Sequence, residues 1–208
     1  MHTAAQLLKQ ELATTDWPVS RVQQTQLIQF LELMKAWGKV YNLTAILEPR
    51  DMVYRHLLDS LALLPYLTGP RILDVGTGAG LPGLPLAIVR PDLEFTLLDS
   101  NQKKTAFVQH VITSLGLKQA KVHKARVESW ESPVKFDQII ARAFCSLQEL
   151  AEKTGHLCSL GGTLIAMKAQ LTEEELQALR APYHIERIEP VEVPGLAASR
   201  CLVFIKGG

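Results

Sequence analysis

The residues best equipped for chemistry lie between positions 71 and 99. Arg71-Ile72-Leu73-Asp74-Val75 reads as an apolar strand that delivers a carboxylate, followed by Gly76-Thr77-Gly78-Ala79-Gly80-Leu81-Pro82-Gly83, and Asp99 closes the next apolar run. Glycines at 76, 78 and 80 permit backbone conformations and close approaches that a Cβ would forbid. A carboxylate at the tip of the following strand can accept hydrogen bonds from ribose hydroxyls. Together they point to a nucleotide-like cofactor. Gly78 to Gly83 satisfies G-x-G-x-x-G, but a lone match to that dinucleotide pattern is weak. Counted from Gly76, which follows the strand at once, the third position of the pattern is Leu81, so the register is wrong for NAD. Asp74 also suits a cofactor with a sulfonium and an ammonium group better than a pyrophosphate, which it would repel. The expected cofactor is S-adenosylmethionine.

The elements that must position these residues follow from periodicity. Leu27, Phe30, Leu31, Met34, Trp37 and Tyr41 recur at helical spacing and give one apolar face that packs on the rest of the chain. Pro49 marks a second helix start, with the stripe Val53, Leu57, Leu61 and Leu64 running to Pro65. Thr68-Gly69-Pro70 is the natural boundary, dividing an N-terminal helical extension (1–68) from a main domain (69–208). Beyond it, strands are expected at Ile72–Val75, Glu94–Asp99, Lys121–Ala125, Phe136–Arg142 and Thr163–Lys168. Helices are expected at Leu84–Arg90, Lys103–Leu115, Leu147–Leu157 and Glu173–Arg180, the last with capping-box spacing between Thr172 and Glu175 and a stop at Pro182. Such alternation builds a parallel sheet covered on both faces. Ile185–Val193 and Cys201–Lys206 are joined by a segment too short for a crossover helix and should pair antiparallel. Five parallel units closed by an antiparallel hairpin make a mostly parallel seven-stranded sheet, the layout of the Rossmann-like class I methyltransferases that use S-adenosylmethionine.

Composition narrows the function classes. With 208 residues, 47% of them hydrophobic, and a net charge of +1, the chain is a globular domain with no bulk charge that would name a partner. Its longest apolar stretch is broken by Asp59 and Pro65 and falls short of a bilayer span, and residues 1–16 lack a signal-peptide pattern. A cytoplasmic protein is expected. Three cysteines without C-x-x-C spacing indicate neither a disulfide framework nor a zinc site, and the histidines show no metal-ligand spacing. Nothing indicates an oligomer.

Open α/β sheets bind ligands at the carboxyl ends of their strands. There the turn from Gly76 through Gly78 to Leu81 would meet the methionine part of the cofactor and Asp99 the ribose. Ala125-Arg126-Val127-Glu128 would flank the adenine, and Arg142 ends the fourth strand pointing into the cleft. After that strand, Arg142-Ala143-Phe144-Cys145 lacks the Asp/Asn-Pro-Pro-aromatic motif that amino-group methyltransferases often carry, so exocyclic amines lose support. Cys145 would serve cytosine C5 chemistry, which needs a thiolate, but the usual Pro-Cys context is absent. A ring nitrogen with its own lone pair needs neither device. A methyltransferase for another RNA position, a metabolite or a protein, an NAD-dependent oxidoreductase and a non-catalytic RNA-binding module remain as alternatives.

Trp37 with Tyr41-Asn42-Leu43-Thr44, Arg55-His56-Leu57-Leu58-Asp59-Ser60, Asp74 to Gly83, Leu98-Asp99-Ser100 with Lys103-Lys104, Arg126-Val127-Glu128, Arg142-Ala143 and Lys168 occur together in this order. In that combination the chain resembles the glucose-inhibited division protein B family, the bacterial 16S rRNA guanine-N7 methyltransferases, over nearly its whole length. Ala141 and Ala169 depart from the family's common Ser and Gly without removing a charge. The resemblance implies a substrate in 16S ribosomal RNA or a small-subunit particle. Guanine N7 would attack the sulfonium methyl directly, with no catalytic base and no metal. Arg142 would then serve the cofactor or an RNA phosphate, because an arginine bound to guanine O6 and N7 would block attack. Arg55, His56, Lys103, Lys104, Arg126 and Lys168 are the RNA-binding candidates, with Lys118, Lys121 and Lys124 extending a local basic run.

Overall fold

The computed structural model describes residues 3–41, 43–142, 145–196 and 200–207, without the side chains of residues 39–41. Asn42, Ala143 and Phe144, and the side chain of Tyr41, therefore lie outside the described part. The chain begins with two helices, α1 (Ala4–Leu12) and α2 (Arg21–Tyr41). Thr3 and Gln6 form a reciprocal capping box that starts α1, a helix the apolar spacing alone did not announce. Ser20 and Gln23 make the same exchange at the start of α2. Leu27, Phe30 and Met34 of α2 are fully buried, and the Trp37 ring packs on Phe107 and His110.

Pro49 occupies the first turn of α3 (Pro49–Met52), which runs without a break into a π-helical stretch, Val53–Leu58, and then α4 (Asp59–Leu61). The stripe read from the sequence is buried throughout, but the i+5 turns inside it were not foreseen. Such turns are rare and concentrate at functional sites.

The sheet comprises β1 (Arg71–Val75), β2 (Glu94–Asp99), β3 (Ala120–Lys124), β4 (Phe136–Arg142), β5 (Cys158–Lys168), β6 (Tyr183–Val191) and β7 (Arg200–Gly207), in spatial order β3-β2-β1-β4-β5-β7-β6. β1 to β5 pair in parallel, and β7 pairs antiparallel with both of its neighbours. The expected seven-stranded sheet with its antiparallel hairpin is present. Helices α5 (Gly83–Val89), α6 (Gln102–Leu115), α7 (Leu147–Thr154) and α8 (Glu173–Ala178) make the connections. Asn101 caps α6 through its side chain, and Gly116, at φ 65°, ends it in the left-handed conformation that glycine adopts without penalty. At α8 the expected capping box is one-sided: Thr172 accepts from the Glu175 N–H, while the Glu175 carboxylate pairs with Lys168 instead. That helix stops at Ala178, before Arg180, and has no buried residue to extend it.

Strand alternation sorts the core into two layers. Ile72, Phe95, Leu97, Ile140, Ile165, Met167 and Phe204 face α2, α5 and α6. Leu73, Val75, Leu98, Ile139, Ala141, Leu164 and Val203 face α7. The residues before 68 share the first layer, so the helical extension lies on the same core as the sheet. The chain leaves β1 toward β2 and β3, then returns to β4 on the other side. That reversal opens a crevice between β1 and β4 at their carboxyl ends, where such sheets hold ligands.

Candidate active site

Two clefts meet at Gly76. One, of about 240 Å³, is lined by Val75, Gly76, Leu98, Asp99, Ser100, Lys104 and the segment from Ala125 to Glu128. The other, of about 400 Å³, runs from Gly76, Thr77, Gly78, Ala79 and Leu81 to Arg55, His56, Asp59, Arg142 and Arg200, with Thr44, Ile46 and Met167 along its wall. The first has the residues expected around a ribose and an adenine. The second carries the glycine turn on one side and the basic residues on the other.

The glycine turn is held from below and from the side. Asp74 is completely buried, and its Oδ2 accepts from Thr77 Oγ1 (2.6 Å) and from the Gly83 N–H (2.8 Å). A Cβ at Gly83 would fall 2.6 Å from that same oxygen and 2.8 Å from Leu97 Cδ2, so glycine is required there by close packing of α5 on the sheet. Asp99 holds the turn from β2: its Oδ2 accepts from the Gly78 N–H (2.9 Å) and its Oδ1 from the Asn101 N–H (2.8 Å). At Gly78 the backbone has φ 58°, and a Cβ would meet nothing nearer than the Gly76 carbonyl at 3.9 Å. The space beside Gly78 is open to a ligand, whereas the space beside Gly83 is filled by the protein. Asp74 thus lies beneath the turn rather than on the cleft surface; its part is to shape the loop, with any effect on a cationic ligand acting from below.

Burial pushes the Asp74 carboxyl up to about 6, against the hydrogen bonds from Thr77 and Gly83, and its Oδ1 has no hydrogen-bond partner. In the unfolded chain this group ionises near 3.8. Between those values the native state keeps a proton that the unfolded state has released, so stability falls as pH rises through the window and the loss is complete above it. Asp74→Asn, which cannot ionise, is expected to gain stability relative to the parent by on the order of 3 kcal/mol between pH 4 and pH 7.5. Urea unfolding at the two pH values measures this; a difference independent of pH would show that the carboxyl ionises as easily in the fold as outside it.

The basic side has a carboxylate at its centre. Asp59, whose side chain is only 4% exposed, accepts from Arg200 Nε at 2.7 Å through Oδ1 and from Arg142 Nη1 at 3.0 Å through Oδ2. Arg142 Nη1 also donates to the Arg55 carbonyl (3.0 Å) inside the π-helical stretch. His56 is buried, with Nε2 against Thr44 Oγ1 at 3.2 Å and Nδ1 unpartnered. Burial, and secondarily the Arg142 charge, hold its pKa below the ordinary histidine value, so it stands in the cleft as a neutral ring at neutral pH.

Of the residues expected at the cofactor, Gly76, Asp99, Val127 and Glu128 line the smaller cleft, while Gly78, Leu81 and Arg142 line the larger. Of the RNA candidates, Arg126 and Lys104 border the smaller cleft and Arg55 and His56 the larger, with Lys103 beside Lys104 in the first turn of α6. Lys168 lines neither cleft. Its Nζ donates to the Cys145 carbonyl at 2.7 Å and pairs with Glu175. Strand parity explains this: Met167 faces the first core layer and the cleft, so the next residue faces α8. The basic run is also dispersed, because Lys118 and Lys121 line a separate cleft with His123 and Trp130 at the other end of β2 and β3. Asp59 and Arg200 were not expected as site residues. The signals were a carboxylate inside an apolar stripe, and an arginine opening the antiparallel strand, which necessarily starts at the carboxyl end of its parallel neighbours.

Among the described residues no group of three or more His, Cys, Asp or Glu is placed to hold a metal ion, and no helix is long and apolar enough to cross a membrane.

The fold recurs in solved methyltransferase structures. A SAM-dependent methyltransferase from Thiobacillus denitrificans, crystallised with S-adenosyl-L-homocysteine, superposes with a TM-score of 0.52 at 15% identity, over 73% of this chain and 91% of that one. TrmN from Thermus thermophilus gives 0.54 at 19% identity, over 75% and 53%. Sequence relatives are nearer. The ribosomal RNA small subunit methyltransferase G of Xanthomonas euvesicatoria pv. vesicatoria is 44% identical over 88% of this chain and 86% of its own. The protein of that name from Alteromonas mediterranea is 40% identical over 99% and 96%. Residues 23–203 match the profile of the GidB family, described as rRNA small subunit methyltransferase G. The two clefts therefore belong to a chain that is a member of the GidB family.

Proposed function

We propose that this protein transfers a methyl group from S-adenosylmethionine to N7 of a guanine in 16S ribosomal RNA, as free RNA or in a small-subunit particle in the cytoplasm. The observation that supports this reading best is the junction of the two clefts at Gly76, which puts a pocket lined by Asp99, Val127 and Glu128 beside a second pocket rimmed with basic groups. The residues present fit the cofactor. The open space at Gly78 accepts its chain, Asp99 has lone pairs beyond those given to Gly78 and Asn101 and can take ribose hydroxyls, and Val127 and Glu128 wall the base. When bound, the cofactor supplies an electrophilic methyl group on a sulfonium.

The chain's own task is placement. Guanine N7 carries a lone pair at neutral pH, so no side chain has to remove a proton to make it a nucleophile. Neutral His56 and the two arginines held by Asp59 shape the acceptor side without offering a general base. Effective molarities for well-oriented partners correspond to about 7 to 11 kcal/mol of barrier, which positioning alone can supply.

The competing route, thiolate attack on a cytosine ring, fails on Cys145. Its side chain lines neither cleft, and burial, reinforced by Glu149, pushes its thiol up to about 11, so on the order of one molecule in ten thousand carries a thiolate at neutral pH. Cys145→Ser is expected to keep more than half of the methyl-transfer rate on RNA. A folded, cofactor-binding serine variant without turnover would transfer the mechanism to the thiol.

A further inference from the structure

Asp59, Arg142 and Arg200 come from α4, the end of β4 and the start of β7, elements 83 and 141 residues apart along the chain at the two contacts. One nearly buried carboxylate uses a different oxygen for each guanidinium, and both arginines, at 23% and 16% side-chain exposure, line the acceptor cleft. The surrounding turn contributes to the arrangement. In the π-helical stretch the Arg55 carbonyl accepts from Arg142, while the His56 carbonyl accepts from Ser60 Oγ at 2.5 Å. Among the described residues the cleft is lined by Arg55, Arg142 and Arg200, with neutral His56, against the single acid Asp59. Asp59 is nearly buried and spends one oxygen on each guanidinium, so its part is to fix the groups that bind the substrate.

We propose that Asp59 is a positioning residue for the RNA, holding Arg142 and Arg200 as a pre-formed fork that receives a backbone phosphate next to the target nucleotide. The inference rests on the rRNA methyltransferase reading above. Guanidinium groups match phosphate geometry through paired donors, and arginines already fixed lose less freedom on binding than free ones. The fork also leaves the guanine N7 edge clear, because it engages the strand's backbone rather than the base.

The test compares parent and Asp59→Asn in steady-state methylation of small-subunit RNA that lacks the modification, together with calorimetry of S-adenosylmethionine. The expected result is a KM for RNA raised at least tenfold, a shallower dependence of KM on salt, and cofactor affinity and kcat within twofold of the parent. Arg142→Lys and the double variant complete a cycle: if Asp59 acts through Arg142, the double variant is no worse than the poorer single one. An unchanged KM, or loss of cofactor affinity in step with KM, overturns the inference. Should Asp59→Asn not fold, Arg200→Gln, which removes one arm and leaves Asp59 with Arg142, is expected to show the same KM shift, and an unchanged KM there overturns it equally. Absence of RNA methylation by the parent would instead reject the reading on which the inference stands.

Discussion

Gly78→Val is expected to fold and to lose S-adenosylmethionine by more than a hundredfold in dissociation constant, about 2.7 kcal/mol or more. At Gly78 the protein leaves the Cβ position open, so an added side chain starts without a clash in the free protein and enters the space in which a ligand would lie. The backbone there is left-handed, which costs an L-residue about 1–2 kcal/mol regardless of ligand. Gly116 provides the control. Its φ is 65°, nothing lies within 4 Å of its Cβ position, and it caps α6 away from both clefts. Gly116→Val should therefore show a similar stability loss with normal cofactor affinity. Calorimetry and thermal unfolding of the two variants separate strain from occlusion. If both bind the cofactor alike, the cofactor does not run past Gly78.

Asp99→Ala is expected to weaken the cofactor by at least tenfold. Hydrogen bonds involving a charged group contribute about 1.5 to 3 kcal/mol each, and the ribose presents two hydroxyls. The carboxylate is oriented in advance, since Gly78 and Asn101 fix its two oxygens at 2.9 and 2.8 Å. Removing it takes away the ribose contact and also releases the Gly78 N–H, so the loss includes some loosening of the turn. Asp99→Asn, which retains one carbonyl oxygen, should fall between the parent and the alanine variant. An alanine variant that binds within twofold of the parent would leave Asp99 with a purely structural part in holding Gly78.

The sheet was legible in the sequence because β1, β2, β4 and β5 carry apolar runs, and five strand segments alternate with helical spacing before two that cannot be bridged by a helix. The cleft end of the sheet was legible because Gly76, Asp99 and Arg142 each stand where a strand stops. What escaped depends on contacts between distant segments. Asp59 reads in one dimension as a break in the apolar stretch that carries Leu57, Leu61 and Leu64, and only the fold brings Arg142 and Arg200 to it. The π-helical turns of Val53–Leu58 have no composition of their own. Lys168 was grouped with the surface bases by charge, although its position next to inward-facing Met167 assigns it to the opposite face of the sheet, where Glu175 takes it. Asp74 was matched to a cationic cofactor by its charge; the hydrogen bond from Gly83 and that glycine's close approach place it beneath the turn, supporting the glycines.

The most direct measurement of the central claim is to incubate the protein with methyl-labelled S-adenosylmethionine and small-subunit ribosomal RNA, free and in particles, from cells lacking the corresponding enzyme, and to map the label. N7-methylguanine carries a positive charge that makes the nucleotide labile to reduction followed by aniline, so the strand breaks where the modification stands. The account predicts label in the RNA and a single enzyme-dependent break at one guanine, present with Cys145→Ser and absent with Gly78→Val. Label on a cytosine or an exocyclic amine, label without strand breakage, or no transfer to RNA would contradict it.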